Sequence, residues 1–510
     1  MSFEADIDMK RFDLIVFGAT ASGAMAAIAA SRAGLRVAIL EPGGHVGGMV
    51  TGGLGHTDLG RGDAVIGGYT RRFFSDLGKH YGKDHPVYDF EPSAAMRVLR
   101  GLLEEARVEL FFQIGIGSLE KRGARIDHLV TREGECFGAP VWIDASYEGD
   151  LMQAAGVAYV VGREGRGKYG ESLAGRQDFL PGHHAFQASV PSHDETGRRL
   201  KFVEPQEKLV PTGEGDGKFQ SYCYRLCLTD HEENRIPVPK PERFEPGNYE
   251  LARRYLAALG ERARLGSFLS ISRLPNGKTD INSGGAVSTN FPGGSWEYPE
   301  ATPVRRREIA REHLDWAHGL IWFLQHDPAV PERIRREMLG WGLCKDEFVD
   351  TGHWPHQLYV REGRRMLGEY VVSEQDLITH RSKYDSIGMA AYNIDIREVQ
   401  WISRVNYLYP TAREEVFMEG YVTFPVEPWE IPYRALLPRS SQCENLIVPV
   451  CASMSSVAFA SFRMEPQYMI AGHAAGTAAA IAWRERLPCQ AVPITVLRPQ
   501  LEREGQILSL

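Results

Sequence analysis

The stretch FDLIVFGATASGAMAAIAASRAGLRVAILEP, Phe12 to Pro42, restricts the fold more than any other part of the chain. FDLIVF is an unbroken apolar run ending in a small-residue turn, the pattern of a parallel strand buried on both faces. SGAMAAIAASRAG follows, rich in alanine and closed by Gly34, and predicts a helix with a glycine stop. LRVAILE reads as a second strand, which completes a βαβ unit with Glu41 at its end. That carboxylate lies about twenty residues beyond the glycine turn, where it can accept hydrogen bonds from an adenosine ribose. Gly18 and Gly23 occupy the outer positions of a G-x-G-x-x-G fingerprint, but Thr20 replaces the middle glycine. With Ala21 and Ser22 it opens the helix N-terminus, whose dipole favours an anion. Thr20 implies either a slightly displaced phosphate or a hydroxyl that donates to one. A βαβ unit that serves packing alone is the alternative.

The residues after Glu41 narrow the ligand. PGGHVGGMVTGGLGHTD is dense in glycine yet carries Met49, Val50 and Leu54, unlike a flexible linker. Backbone that must pass close to a ribityl chain and an isoalloxazine ring has this composition. Pro42, Gly43, His45, Gly47, Gly48 and Met49 are therefore read as cofactor contacts, and the cofactor as FAD. VWIDA then delivers Asp144 and Ala145 to the carboxyl edge of a sheet, where ligands bind. Near the C-terminus, CENLIVPVCASMSS and RMEPQYMIAGHAAGTAAAIAWRE read as strand, loop and small-residue helix. Gly472, Ala475, Gly476 and Thr477 would bring that helix close to something flat, and its N-terminal dipole would favour negative charge at flavin N1 and C2=O. Packing against a neighbouring helix is the plainer account of the two glycines. The fold class expected is α/β: a discontinuous Rossmann-type FAD-binding domain over 10–165 and 430–510, with an inserted α+β substrate domain over 166–429.

Composition limits the partners. At 510 residues two domains are expected. The 43% hydrophobic and 24% charged residues are those of a globular protein, and the formal charge of −8 offers no general attraction for nucleic acid or an anionic membrane. The seven cysteines include no Cys-x-x-Cys pair, so neither a disulfide framework nor a zinc knuckle is suggested. The N-terminus MSFEADIDMKRF lacks the apolar core of a signal peptide and no run suits a bilayer, which makes the cytoplasm the default. A small-molecule substrate is the expected partner, without nucleic acid or membrane.

In the middle, residues 165–200 read as a long polar excursion, Phe202 to Phe244 as β-structure including SYCYRLCLTD, and 246–265 as a helix. Residues 303–340 read as a helix, a loop at Asp327-Pro328 and a second helix, with Trp316, Trp322 and Phe323 as core. The segment Asp350–Glu374 carries the most chemistry: His353, His356, Tyr359, Arg361, Arg364 and Arg365 within a partly apolar stretch. A planar guanidinium beside a flavin can bind a substrate carboxylate or hydroxyl, or stabilise the reduced anion. His353 and His356 have no third ligand at a metal-site spacing, so no metal is expected. A base for the substrate O–H or N–H is sought among His353, His356 and Tyr359. His45 is read as bonding to FAD, and His45 or His56 as a less favoured site of covalent attachment.

The motifs GATASGAMAAIAA, GGHVGGMVTGGLG, IDASYEGDLMQAAGVAY, YRLCLT, LYVREGRRM, YDSIG and RMEPQYMIAGHAAGTAA together resemble a large bacterial family of FAD-dependent oxidoreductases, from about residue 12 to the C-terminus. The resemblance implies a glutathione-reductase-like FAD domain with an inserted substrate domain, and it places Glu465 near the flavin as a further candidate base. Ser146 stands where threonine is commoner in that family, and Arg397 where a histidine is expected. The function expected is a dehydrogenase or oxidase that moves a hydride from a small polar substrate, hydroxylated or carboxylated, to flavin N5. A flavin-dependent RNA-modifying enzyme and a flavin-binding electron-transfer or scaffold subunit are the other readings. The negative charge and the lack of cysteine clusters count against them.

Overall fold

Leu14–Phe17 (β1) is buried at all four residues, as an apolar run without alternation requires of a strand covered on both faces. In the computed structural model, which describes residues 9–60, 62–178, 184–379, 381–407 and 413–510, β1 is the centre of a five-stranded sheet. Its neighbours are Val37–Glu41 (β2) and, beyond it, Glu109–Phe112 (β3) on one side, and Val141–Asp144 (β4) and Leu446–Ile447 (β5) on the other. Every pairing is parallel: Leu14 lies opposite both Val37 and Val141, and Phe17 opposite Leu40 and Asp144. The carboxyl ends of β1, β2 and β4 therefore share one edge. The strand closing the sheet comes from residue 446, so the nucleotide-binding layer is built from both ends of the chain. The first eight residues and 179–183, on which part of the N-terminal and 165–200 readings fall, lie outside the described residues.

Between β1 and β2 runs Ala21–Arg32 (α1), buried from residue 21 to 30. It is covered by the sheet on one side and by the C-terminal helix Glu465–Glu485 (α2) on the other. Small side chains let both layers close on it. A Cβ on Gly472 would stand 2.1 Å from Ser22 O, and one on Gly476 would stand 2.1 Å from Ala26 O. These two glycines thus admit α1, not a flat ligand, and the plainer account holds. Thr477 Oγ1 shares its one hydrogen between His473 O (3.1 Å) and Glu504 (3.0 Å), and Ala475 is fully buried, so the cofactor role read for Gly472, Ala475, Gly476 and Thr477 is corrected to helix packing.

Residues 116–138 form a small sheet with Met9–Arg11, matching the short alternating runs of the sequence. The long helix Pro303–His326 starts at Thr302, whose side chain accepts from Arg305 N, and Glu332–Leu339 follows it. Trp316 and Phe323 are buried there; Trp322 is only half-buried and lies against His326. The stretch read as a strand, SYCYRLCLTD, is mostly irregular. Only Leu228–Thr229 pairs as a strand, Cys223 and Leu226 make single bridges, and Cys227 Sγ sits 3.8 Å from Cys344 Sγ. Its residues are held by contacts to three separate partners, which breaks the alternation a strand needs. Ser386–Ala390 pairs with Trp429–Pro432 and packs on α2, a Cβ on Gly388 falling 2.2 Å from Ile470 Cγ2. Among the described residues no helix is long and apolar enough to cross a membrane.

Candidate active site

A cavity of about 910 Å³ opens along the carboxyl edge of the sheet, lined by Gly18, Thr20, Glu41, Gly48, Tyr147 and His356 among others. Gly18 holds φ +95°, and a Cβ on it would be 2.7 Å from Ser146 N, so the turn admits glycine alone. Gly23 lies so close to the turn that a Cβ would be 2.0 Å from Gly18 O. Thr20 is the N-cap of α1: its hydroxyl accepts from Gly23 N (3.1 Å) and donates to Ala145 O (2.7 Å). The hydroxyl is thereby spent on the protein, which corrects the expectation that it donates to a phosphate. It ties the start of α1 to the end of β4. Ala21 and Ser22 form the buried first turn behind it, Ser22 against Gly472.

Glu41 accepts from Ala19 N and Gly43 N, each at 2.6 Å. Burial pushes its pKa up to about 7 against the pull of those two bonds. It lines the cavity with Pro42, Gly43 and His45, and a carboxylate keeps further acceptor sites beyond the two in use. Asp144 is spent differently from its reading. Its oxygens take Ser146 N (3.1 Å), Ser146 Oγ (2.6 Å) and Met152 N (2.7 Å), and burial raises its pKa to about 6. With the Ala145 carbonyl on Thr20, both residues build the turn after β4 instead of facing the cavity. Ser146 caps that turn by accepting from Gly149 N (3.0 Å).

In the glycine loop, Gly47 N donates to Ala19 O (2.6 Å) and Met49 N to Tyr147 Oη (3.0 Å). Gly48 has φ +53°, and its Cβ would fall 2.3 Å from Tyr147 Oη. Gly47, Gly52 and Gly53 would clash with Thr51, Gln357 and Arg225 in the same way. The immediate need for these glycines is thus the approach of protein side chains and carbonyls. Tyr147 Oη donates in turn to Glu465 Oε1 (2.6 Å), at the first residue of α2. Burial lifts the Glu465 carboxyl to about 7, only partly offset by the Tyr147 bond, and Oε2 is buried with no partner. An acidic turn residue, a helix N-terminus and a cavity lined by Tyr147, which holds the buried, half-satisfied Glu465 carboxyl behind it, fit a dinucleotide such as FAD.

The histidines separate. His45 Nε2 is 2.7 Å from Asp350 Oδ2, and its ring stacks on His356 at 3.8 Å; both rings line the cavity. Burial drops the pKa of His356 to about 3, so it is neutral, with Nε2 buried and unpartnered. His353 is half-buried off the cavity, its Nδ1 3.1 Å from Glu347 O, and leaves the catalytic set. His56 pairs with Asp89 (2.6 Å) on the surface side. Among the described residues no group of three or more His, Cys, Asp or Glu side chains could hold a metal ion.

The arginines also divide. Arg365 is completely buried and bonds Glu164 (2.6 Å), Glu362, Gly162 O (2.8 Å) and Met454 O (3.2 Å). It is a strut with four of its five N–H groups spent on the protein, which corrects its catalytic reading. Arg364 faces the cavity but is held by Asp150 (2.7 Å), Glu300 (2.8 Å) and Glu148 O (3.1 Å). Arg361 points the other way, over the Tyr359 ring at 4.5 Å, and is 1% exposed. Tyr359 Oη accepts from Arg463 Nη1 (3.1 Å), and Arg463 Nη2 reaches Asp395 Oδ2 (3.0 Å). Arg397, in the place of the expected histidine, contacts His184 Nε2 at 2.6 Å. Sequence reasoning missed Tyr147, Arg463 and Asp395, although the first two lie within ASYEG and RMEP, motifs already singled out.

The FAD dependent oxidoreductase family matches residues 13–501, nearly the whole chain. No curated protein matches. Among solved structures, the OxyS anhydrotetracycline hydroxylase from Streptomyces rimosus is 15% identical over 36% of this chain and 43% of its own, with a TM-score of 0.23. Thermovibrio ammonificans THI4 is 19% identical over 30% of this chain and 66% of its own, with a TM-score of 0.23. The T. acidophilum thioredoxin reductase is 19% identical over 27% and 35%, with a TM-score of 0.18. The chain thus spans less than half the length of the first and third of these structures. With a parallel Rossmann-type sheet, a glycine turn and an acid at the end of its second strand in place, the chain belongs to the FAD-dependent oxidoreductase family and is a flavoenzyme.

Proposed function

We propose that the enzyme is a dehydrogenase or oxidase that moves a hydride from a C–H bond of a small polar substrate, hydroxylated or carboxylated, to flavin N5. The observation that carries this reading is the Tyr147–Glu465 pair: a buried carboxyl with a pKa near 7 and one oxygen without a partner, beside the glycine loop. Residues 10–165 and 430–510 hold the cofactor in this scheme, and 166–429 supply most of the substrate contacts. When bound, FAD supplies the two-electron acceptor. Glu41 would hold its ribose hydroxyls, and the α1 N-terminus would favour its diphosphate.

Loss of hydride from carbon leaves a cation unless the attached O–H or N–H gives up its proton. Glu465 Oε2 is the acceptor. A base with a pKa near the working pH combines adequate deprotonation with adequate basicity. Tyr147 donates to the other oxygen and fixes the carboxyl plane, while Met49 N fixes Tyr147. The neutral His356 and the paired Arg364 line the cavity wall without competing for that proton.

Purified protein should be yellow, and anaerobic mixing with sugars, hydroxy acids and amines should bleach the flavin band with at least one class. Glu465→Gln should keep its flavin yet lower the bleaching rate by about 10²- to 10⁴-fold. A colourless protein, or a Gln variant reduced as fast as the parent, would refute the scheme.

A further inference from the structure

Behind the segment that carries Arg361 lies a knot of buried polar atoms without partners: Arg361 Nε, Arg463 Nε, His313 Nε2, Ser221 Oγ and Asn290 Oδ1. They belong to one place. Arg361 Nη1 donates to Ser221 O, and Ser221 N donates to Glu398 O (2.9 Å). Glu398 accepts from Asn290 Nδ2, and the Asn290 carbonyl takes Trp316 Nε1 (3.1 Å). The ring of His313 lies 5.4 Å from that of Phe291, the residue after Asn290. Buried polar groups are nearly always satisfied, so these five orphans call for polar partners that the chain itself does not supply.

The charge balance gives the ligand its sign. Arg225 is matched by Asp280 through two bonds of 2.7 Å, Arg463 by Asp395, and Arg365 by Glu164 and Glu362. Arg361 has no carboxylate within ion-pair distance among the described residues; its other contacts are Cys223 Sγ (3.2 Å) and the Tyr359 ring (4.5 Å). A guanidinium cannot shed its proton, so a buried one calls for an anion. The neighbouring histidine adds a second requirement. Its Nδ1 is 2.8 Å from Ile309 O and so carries the hydrogen, which leaves Nε2 as a bare acceptor for a hydroxyl or amine.

We infer that the substrate is a small carboxylate bearing a hydroxyl or amino group, its carboxylate bound by Arg361 and the free Nε of Arg463, with His313 Nε2 accepting from a donor other than the O–H or N–H proton that passes to Glu465. This rests on the oxidoreductase reading proposed above and names its substrate class. The cluster joins the cofactor end through Tyr359 and through Arg463, which is two residues from Glu465.

The test is calorimetric titration of the holoenzyme with lactate, malate, glycine and serine, each against its amide. A carboxylate should bind, and its amide should bind at least 10-fold more weakly. Arg361→Gln should weaken the carboxylate by about 10- to 100-fold, with Arg361→Lys recovering part of the loss and FAD content unchanged. Equal binding of acid and amide, unchanged binding in the Gln variant, or binding by none of the four acids would overturn the proposal. If the Gln variant does not fold, the acid–amide comparison on the parent decides. A colourless protein that still prefers acids over amides would sink the redox reading and leave the anion site standing.

Discussion

Replacing Glu465 by Gln isolates one buried ionisation. The carboxyl moves from 4.5 to about 7 because burial disfavours its charged form more than the Tyr147 hydrogen bond favours it. The folded protein therefore holds a proton that the unfolded chain releases between those two values. The stability belonging to the neutral carboxyl is fully present below pH 4.5 and is lost as pH rises through about 7. At 1.36 kcal/mol for each tenfold change in proton affinity, the full loss is about 3 kcal/mol. Gln keeps an oxygen for the Tyr147 hydroxyl and has no charge to bury, so it escapes the loss. The assay is urea unfolding of both flavin-free proteins across pH 5 to 8, read as the difference between them. That difference should move in favour of Gln by about 2.5 kcal/mol over the interval. Glu41 and Asp144, also raised by burial, titrate in both proteins and cancel. A difference that stays constant with pH would show that Glu465 ionises normally and would remove the basis for its role as proton acceptor.

Three further substitutions separate packing from ligand contact. Gly476→Ala should cost about 1–3 kcal/mol or more in denaturant unfolding, because its Cβ would meet Ala26 O at 2.1 Å; loss of flavin at unchanged stability would contradict the packing account. Thr20→Ala should cost about 1 kcal/mol as a lost N-cap, with FAD affinity nearly kept; a collapse of affinity alone, read by fluorescence titration, would return the hydroxyl to a phosphate. Arg365→Met should destabilise by about 3–5 kcal/mol, since it strands Glu164 and Glu362 in the interior, and should leave KM of the folded fraction unchanged.

What the sequence made legible was local. The βαβ unit, the helix after residue 303 and the acid at Glu41 each depend on residues within a few turns of one another, so pattern suffices. Partner choice across the chain was not legible. Arg361, Arg364 and Arg365 look alike in YVREGRRM, yet one lacks a carboxylate, one reaches Asp150 and Glu300, and one is locked between Glu164 and Glu362. In an irregular segment no period fixes which side chain faces inward, and the acids that neutralise them stand up to about two hundred residues away. Tyr147 was passed over for the same reason: its meaning comes from Glu465, 318 positions on.

The glycines carry a subtler lesson. Close approach of backbone is all that a glycine reports, and it does not say whether the visitor is protein or ligand. On α2 the visitor is α1; in the loop after Glu41 it is Tyr147, Thr51 and Gln357. FAD was nonetheless the right cofactor, because the residues that force the loop into that path also form the cavity wall. Gly48 bends at φ +53° to pass beneath Tyr147, and both residues line the same cavity as Glu41. The loop is thus packed tightly on its protein side in order to present a fixed backbone on its other side, and preorganisation of that kind is what a bound cofactor requires.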